Sequence, residues 1–320
     1  MNIPARKDSR AYFISGIIIA LLGAVCFSTK AIFVKLAYRD TTVDAVTLLA
    51  LRMLFSLPFF LVSAAISSSS STNKKFTLKQ WIGIAAVGCI GYYISSLLDF
   101  LGLQYVSAGI ERLILFIYPT LVLLISSAVF KIKINAYQWC AILITYAGLL
   151  LAFWGEAKFD TSNPQFFTGC ILIFCCAVTY AIYIVGSGRI IPKVGASKFN
   201  SYAMSFACIA VLLHFQVTSE SSLLSLEPLV YVYSLAMAIV STVIPSYLVS
   251  HGINRIGSDN AAIVGSIGPV STIVQANLIL DEPVLGLQIA GTALILVGIL
   301  MVSKKPKASN AVQKTKAETT

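Results

Sequence analysis

The chain has 320 residues, 58% of them hydrophobic and 11% charged, with a mean hydropathy of +0.86. An ordinary soluble protein carries about 25% charged residues, so a water-soluble globular protein is excluded and a membrane protein is expected. The net charge of +10 would suit a nucleic-acid partner, but its distribution along the chain speaks against one.

In lipid the backbone must satisfy its own polar groups, which leaves helices or a closed barrel. Barrel strands are alternating segments of roughly 10 residues. The apolar runs here, such as 14–36 and 284–302, are close to the ~20 residues that a helix needs. Ten spans are predicted, at 13–36, 44–66, 80–102, 108–130, 137–154, 166–188, 199–216, 228–251, 259–280 and 284–302. The seventh is the shortest. The first is too long for a signal-peptide core and ends in Lys30 and Lys35 without a small-residue cleavage site. Ser67–Ser71 opens a flexible linker. The lysine-rich stretch 303–320 is expected to be a disordered tail.

The charges alternate with these spans. Of the 23 basic residues, 17 fall on one side: Arg6, Lys7, Arg10, Lys74, Lys75, Lys79, Lys131, Lys133, Arg189, Lys193, Lys198, Arg255 and the five lysines of the tail. The other loops hold Arg39 and Lys158 beside Asp40, Asp44, Glu156, Asp160, Glu220, Glu227, Asp281 and Glu282. The positive-inside rule then places both termini in the cytoplasm. The basic excess is therefore a topology signal, with lipid rather than nucleic acid as its partner. Trp81, Trp139 and Trp154 fall at span ends, as an aromatic belt requires. All seven cysteines lie inside spans, and the spacing of Cys170, Cys175 and Cys176 does not suit zinc. No metal and no cofactor is expected.

Two stretches align without a gap at an offset of 150: Gly102 with Gly252, Pro119 with Pro269, Gln138 with Gln288, and Gly148 with Gly298. Upstream, Ser15-Gly16 and Ala24-Val25 match Thr168-Gly169 and Ala177-Val178 at an offset of 153. The fold class expected is all-α, ten transmembrane helices as two inverted five-helix repeats, 13–154 and 166–302, with a short segment 1–12 before them. An odd number of spans per half inverts the second copy, the arrangement of many secondary transporters.

The segment from Ser107 to Leu121, with Glu111, Arg112, Tyr118 and Pro119, is followed by an apolar run, a basic loop and Ala147-Gly148-Leu149. Its second copy carries Asn260, Gly268-Pro269, Asp281-Glu282-Pro283, Gln288, Gly291 and Gly298. Over about residues 12–303 this pattern resembles the EamA-type family of the drug/metabolite transporter superfamily. The resemblance implies two inverted repeats around a central cavity and secondary transport of small metabolites, often export of amino acids or related compounds. It implies no shared catalytic residues, and the matched prolines and glycines carry over only as architecture.

Charge inside a membrane is costly and usually faces a pathway. The first half places Lys30, Arg52, Asp99, Glu111 and Arg112 within its spans. At about 1.5 Å per residue, Lys30 lies roughly 9 Å and Arg52 roughly 12 Å from the outer ends of their helices. The aligned positions in the second half are Tyr183 for Lys30, Val249 for Asp99, Ala261 for Glu111 and Ala262 for Arg112. These five residues and Tyr118 are the candidate substrate or proton pathway. Structural roles compete for each. Lys30 can snorkel, Glu111 can sit on the helix dipole, Arg112 can pair locally or reach headgroups, and Arg52 can pair with Glu111 or Asp99.

Pro119 and Pro269 each free a carbonyl one turn earlier and are candidate gating breaks, with a packing kink as the competing role. His214 and His251, near span ends, suit interfacial hydrogen bonds. Walker-type phosphate loops, H-E-x-x-H and G-x-S-x-G motifs are absent from the sequence, so an enzyme is not expected. The function expected is an exporter of amino acids or similar small polar metabolites in the plasma (inner) membrane, and a homodimer is compatible with it. A nucleotide-sugar or lipid-linked-sugar carrier, and a membrane-embedded enzyme or assembly factor, are the rival readings.

Overall fold

The computed structural model describes residues 10–68, 76–131, 136–157, 164–219, 222–265 and 267–303. Among them the regular structure is entirely helical. The helices are α1 (Arg10–Asp40), α2 (Ala45–Ser68), α3 (Leu78–Gly88), α4 (Ser95–Gly102), α5 (Ala108–Leu115), α6 (Tyr118–Phe130) and α7 (Ala136–Ala157). They continue as α8 (Phe166–Val194), α9 (Ala196–Thr218), α10 (Pro228–Ala238), α11 (Ile244–Gly265), α12 (Ile267–Leu280) and α13 (Gly286–Ser303). Short π-helical turns, Cys89–Ile94 and Ile239–Val243, join α3 to α4 and α10 to α11.

Among the described residues, seven helical segments are long and apolar enough to cross a membrane: Arg10–Asp40, Ala45–Ser68, Leu78–Gly102, Ala108–Val129, Phe166–Ile191, Ala196–Thr218 and Pro228–Ile256. Three apolar stretches, Ile142–Ala152, Val270–Leu280 and Gly286–Gly298, are shorter. They fall in the fifth, ninth and tenth predicted spans. The protein is thus an all-helical, multi-pass membrane protein. The expected seventh span is longer than predicted, because α9 starts at Ala196. The predicted loop 189–198 shrinks to Gly195, whose φ of +88° is a conformation that glycine adopts without a Cβ penalty. Most of the serine linker and the tail lie outside the described residues.

A second difference falls at 252–258, where a loop was predicted and helix is found. The chain reverses between 256 and 268. Along α1, Gly16 meets Ile256, Gly23 meets Leu248, and Ser28 donates to the Gly268 carbonyl at 3.2 Å. Residues 248 to 256 therefore run antiparallel to α1, and the chain is travelling back along it by 268.

Local geometry recurs at the sequence offset of 150. The π-turns begin at Cys89 and Ile239. Helices α3 and α10, which lead into them, begin at Leu78 and Pro228. Left-handed residues end α6 and α12 at Lys131 (φ 53°) and Asp281 (φ 56°). Pro119 lies in the first turn of α6 and Pro269 in the first turn of α12, where a missing N–H costs least.

The core is built on the packing of α2 against α9, with Leu48, Met53, Phe60, Phe199 and Met204 buried, and it extends to Ile32 of α1. Helix α7 packs chiefly on α13. A Cβ on Gly148 would lie 2.7 Å from the Gly291 carbonyl oxygen, and one on Gly291 2.5 Å from that of Gly148. Such close backbone approach is how membrane helices gain packing without a hydrophobic driving force.

Candidate functional site

Lys30 projects from α1 into the bundle and is 5% exposed. Its Nζ lies 2.6 Å from Asp99 Oδ2 and 3.4 Å from Glu111 Oε1. Asp99 stands on α4, one turn after a π-turn, and Glu111 on α5; both are fully buried. Cys176 on α8 donates its S–H to Asp99 Oδ1 at 3.9 Å. Arg112 Nε is 3.6 Å from Glu111 Oε2. The same group donates to Thr272 Oγ1 at 3.0 Å, and Nη2 donates to the Phe27 carbonyl at 3.4 Å. One lysine thus bridges two carboxylates, and an arginine closes the chain of charge.

The structure therefore brings Lys30, Asp99, Glu111 and Arg112 together and sets Arg52 apart. Lys30 does not snorkel; its partners are inside. Glu111 does not cap α5. The free amides there are taken by Ser107, whose Oγ accepts from Ile110 N, and by Glu282, which accepts from Ala108 N at 3.1 Å and Gly109 N at 3.3 Å. Glu111 still lies in the first turn of α5, where the dipole favours an acid, and Glu282, from the connection between α12 and α13, is a second acid at that end.

Arg52 was expected to pair with Glu111 or Asp99. Among the described residues no acid lies within ion-pair distance of it. Its Nε donates instead to Thr242 Oγ1 at 2.7 Å, and its guanidinium lies 5.3 Å from the centre of the Phe100 ring. Thr242 sits in the second π-turn and donates in turn to the Met237 carbonyl at 2.9 Å.

A cavity of about 100 Å³ of water-accessible space lies between these elements. Lys30, Arg52, Asp99, Arg112 and Tyr118 line it, as do aromatic side chains of Phe27, Tyr92, Phe116 and Tyr180. Glu111 does not; it stands behind Lys30 and Arg112. A cavity needs roughly 10–15 Å³ of such space per water, so this one admits several waters or a small solute. Along α1 its wall runs from Ala20 to Lys30. Beyond Lys30, Lys35 Nζ donates to the Val106 carbonyl at 3.0 Å and Tyr38 OH to that of Phe100 at 2.9 Å.

Contacts between distant parts of the chain close that end of the bundle. Tyr233 OH donates to Asp40 Oδ2 at 2.5 Å, and Thr42 Oγ1 to Glu227 Oε1 at 3.3 Å. The Glu282 bonds to α5 belong to the same end. At the opposite end Arg255 Nη1 donates to Ser15 Oγ at 2.7 Å and stacks on Tyr12. Of the histidines, His214 hydrogen-bonds Tyr93 OH at 3.0 Å and His251 hydrogen-bonds Ser197 Oγ at 3.1 Å.

Sequence reasoning missed Thr242, Thr272, Cys176 and Glu282. A threonine in an apolar span gives no sign of which arginine it will meet 160 or 190 positions away. Only Asp281-Glu282, as part of the repeat pattern, offered a signal.

The sequence profile of the EamA-like transporter family matches residues 14–154 and again residues 167–304. The chain is 32% identical to the "Uncharacterized transporter YcbK" of Bacillus subtilis (strain 168), over 87% of this chain and 89% of that protein. It is 24% identical to the "Uncharacterized transporter sll1319" of Synechocystis sp., over 90% and 93% of the two chains. A crystal structure with 17% identity superposes with a TM-score of 0.66, covering 92% of this chain and 98% of the other. That likeness speaks to the fold.

Proposed function

The chain belongs to the EamA-like transporter family, and from that premise we propose that it exports small polar metabolites, amino acids or related compounds, by alternating access. The observation that carries this reading is the cavity walled by Lys30, Arg52, Asp99, Arg112 and Tyr118, buried where charge is costly to keep. Structural ion pairs alone do not require an accessible space beside them.

The paired π-turns, paired left-handed residues and paired proline positions support two repeats of five spans, 13–154 and 166–302, the second inverted. With both termini in the cytoplasm of a plasma-membrane protein, the Asp40 end faces outward. The contacts of Asp40, Thr42 and Glu282 with partners far along the chain are then the outer closure. Breaking them while Arg255 holds its partners inside would expose the site to the other face. Pro119 stands at the break between α5 and α6, and Leu115, the last residue of α5, is on the cavity wall, which suits a hinge in the pathway. The carboxylates beside Lys30 suit proton coupling through Asp99 or Glu111. The sugar-nucleotide alternative needs two basic groups free for phosphates. Lys30 is held by two acids, and nothing in the site favours that reading.

The test is mass spectrometry of the medium from overexpressing cells, beside Asp99→Asn and Glu111→Gln strains at matched expression. A solute enriched outside only with the wild type supports export through this site. Enrichment that both variants preserve removes the two acids from the pathway. No enrichment with the wild type removes the export reading.

A further inference from the structure

We infer that Arg52 is the docking point for the carboxylate of the transported solute, and that the solute is a small monocarboxylate with an apolar body. The inference rests on the transport reading and names the chemistry of its site.

Three observations carry it. First, the guanidinium is 1% exposed, lines the cavity, and leaves Nη1 without a hydrogen-bond partner among the described residues. A buried polar group without a partner is costly. Its Nε, by contrast, is fixed on Thr242 and its face on Phe100, so the free edge is held in one orientation. A planar fork of this kind matches a carboxylate.

Second, charge counting sets the valence. The buried cluster holds three cations, Lys30, Arg52 and Arg112, and two carboxylates, Asp99 and Glu111. Lys30 and Arg112 contact the acids directly, which leaves Arg52 as the cation to be balanced. One negative charge balances it, whereas a phosphate near its dianion would overshoot.

Third, the remaining wall is largely apolar and aromatic. Phe116, Tyr118 and Tyr180 form successive edge-on contacts, with ring centres 5.7 and 5.1 Å apart. Phe27 joins them on the wall. An anionic head at Arg52 and an apolar body against these rings satisfy both parts of the cavity.

The test uses the purified full chain in detergent and reads its thermal stabilisation by matched pairs: L-leucine with L-leucinamide, and 4-methylpentanoate with its amide. Inorganic phosphate is the dianion arm. We expect an acid to stabilise where its amide does not, and Arg52→Gln to raise the acid concentration needed for a given stabilisation by roughly tenfold to a hundredfold. Arg52→Lys, which keeps the charge and serves if Arg52→Gln fails to fold, should retain part of it. Stabilisation by both acids makes the amino group dispensable, and by leucine alone makes it required; either outcome supports the carboxylate at Arg52. Equal stabilisation by amide and acid, unchanged response in either variant, preference for phosphate, or no response to either acid overturns it. Export measured in the medium is independent of this assay, so the carboxylate site can fail while the transport reading stands.

Discussion

The two halves of the chain share their backbone devices and differ in what they carry inside. The first half brings Lys30, Arg52, Asp99, Glu111 and Arg112 into the bundle. The second answers with hydroxyls: Thr242 accepts from Arg52 and Thr272 from Arg112. A neutral acceptor orients an arginine without cancelling its charge. A carboxylate in place of Thr242 would have locked Arg52 in an ion pair and left it less to offer a solute, whereas Arg112 is already engaged by Glu111. The division teaches that one half supplies charge while the other aims it.

The largest effect expected is at the centre of the charged half. Asp99→Leu strips Lys30 of its nearer partner and should abolish transport. Removing one member of a buried pair costs about 3–5 kcal/mol, readable as a loss of thermal stability in detergent. Val249→Ala, at the aligned position, should cost about 1 kcal/mol. Equal losses would break the contrast between the halves.

The double variant Lys30→Met/Asp99→Leu sharpens it. If the two charges are partners, its loss of stability should fall short of the sum of the single losses by about 0.5–3 kcal/mol. Transport should still be lost. Simple additivity would show that the 2.6 Å contact contributes nothing.

A third contrast sits in the π-turns, where Gly91 and Ser241 are aligned. A Cβ on Gly91 would lie 2.3 Å from Cγ of the Tyr183 ring, so Gly91→Ala should cost about 1–3 kcal/mol through overpacking. Ser241→Ala loses only a bond to the Met237 carbonyl of 3.0 Å, a net effect of about 1 kcal/mol.

The smallest effect expected is at Glu282. Glu282→Ala uncaps α5 at a cost typically of about 1 kcal/mol. If the contact belongs to the outer closure, labelling of a cysteine placed at Ser96, on the cavity wall, by an impermeant thiol reagent added outside should accelerate. An unchanged rate would confine Glu282 to a capping role.

Much of this was legible in the sequence. Hydropathy and the alternation of charge marked the spans, and the offset of 150 exposed the one-sided charge. Pairing was less legible. Depth along the helix gave no angle around α1, so Lys30 could not be assigned to Asp99 and Glu111. Arg52 was misassigned because the acids looked like its natural partners. They were already engaged by Lys30, and Thr242 reached Arg52 from a part of the chain with no sequence link to it. The π-turns left no compositional trace, since Cys-Ile-Gly-Tyr-Tyr-Ile and Ile-Val-Ser-Thr-Val read as ordinary apolar helix.

That turn at Cys89–Ile94 has a consequence for register. A π-turn holds one residue more than an α-turn, and each residue advances a helix by about 100°. Straightening Cys89–Ile94 into continuous α-helix with every residue kept would swing Asp99 by about that angle relative to α3, away from Lys30. Asp99 is therefore aimed by the extra residue held in the turn that precedes α4. A chain that straightened this turn would keep its composition and hydropathy unchanged while losing the alignment on which its charges depend.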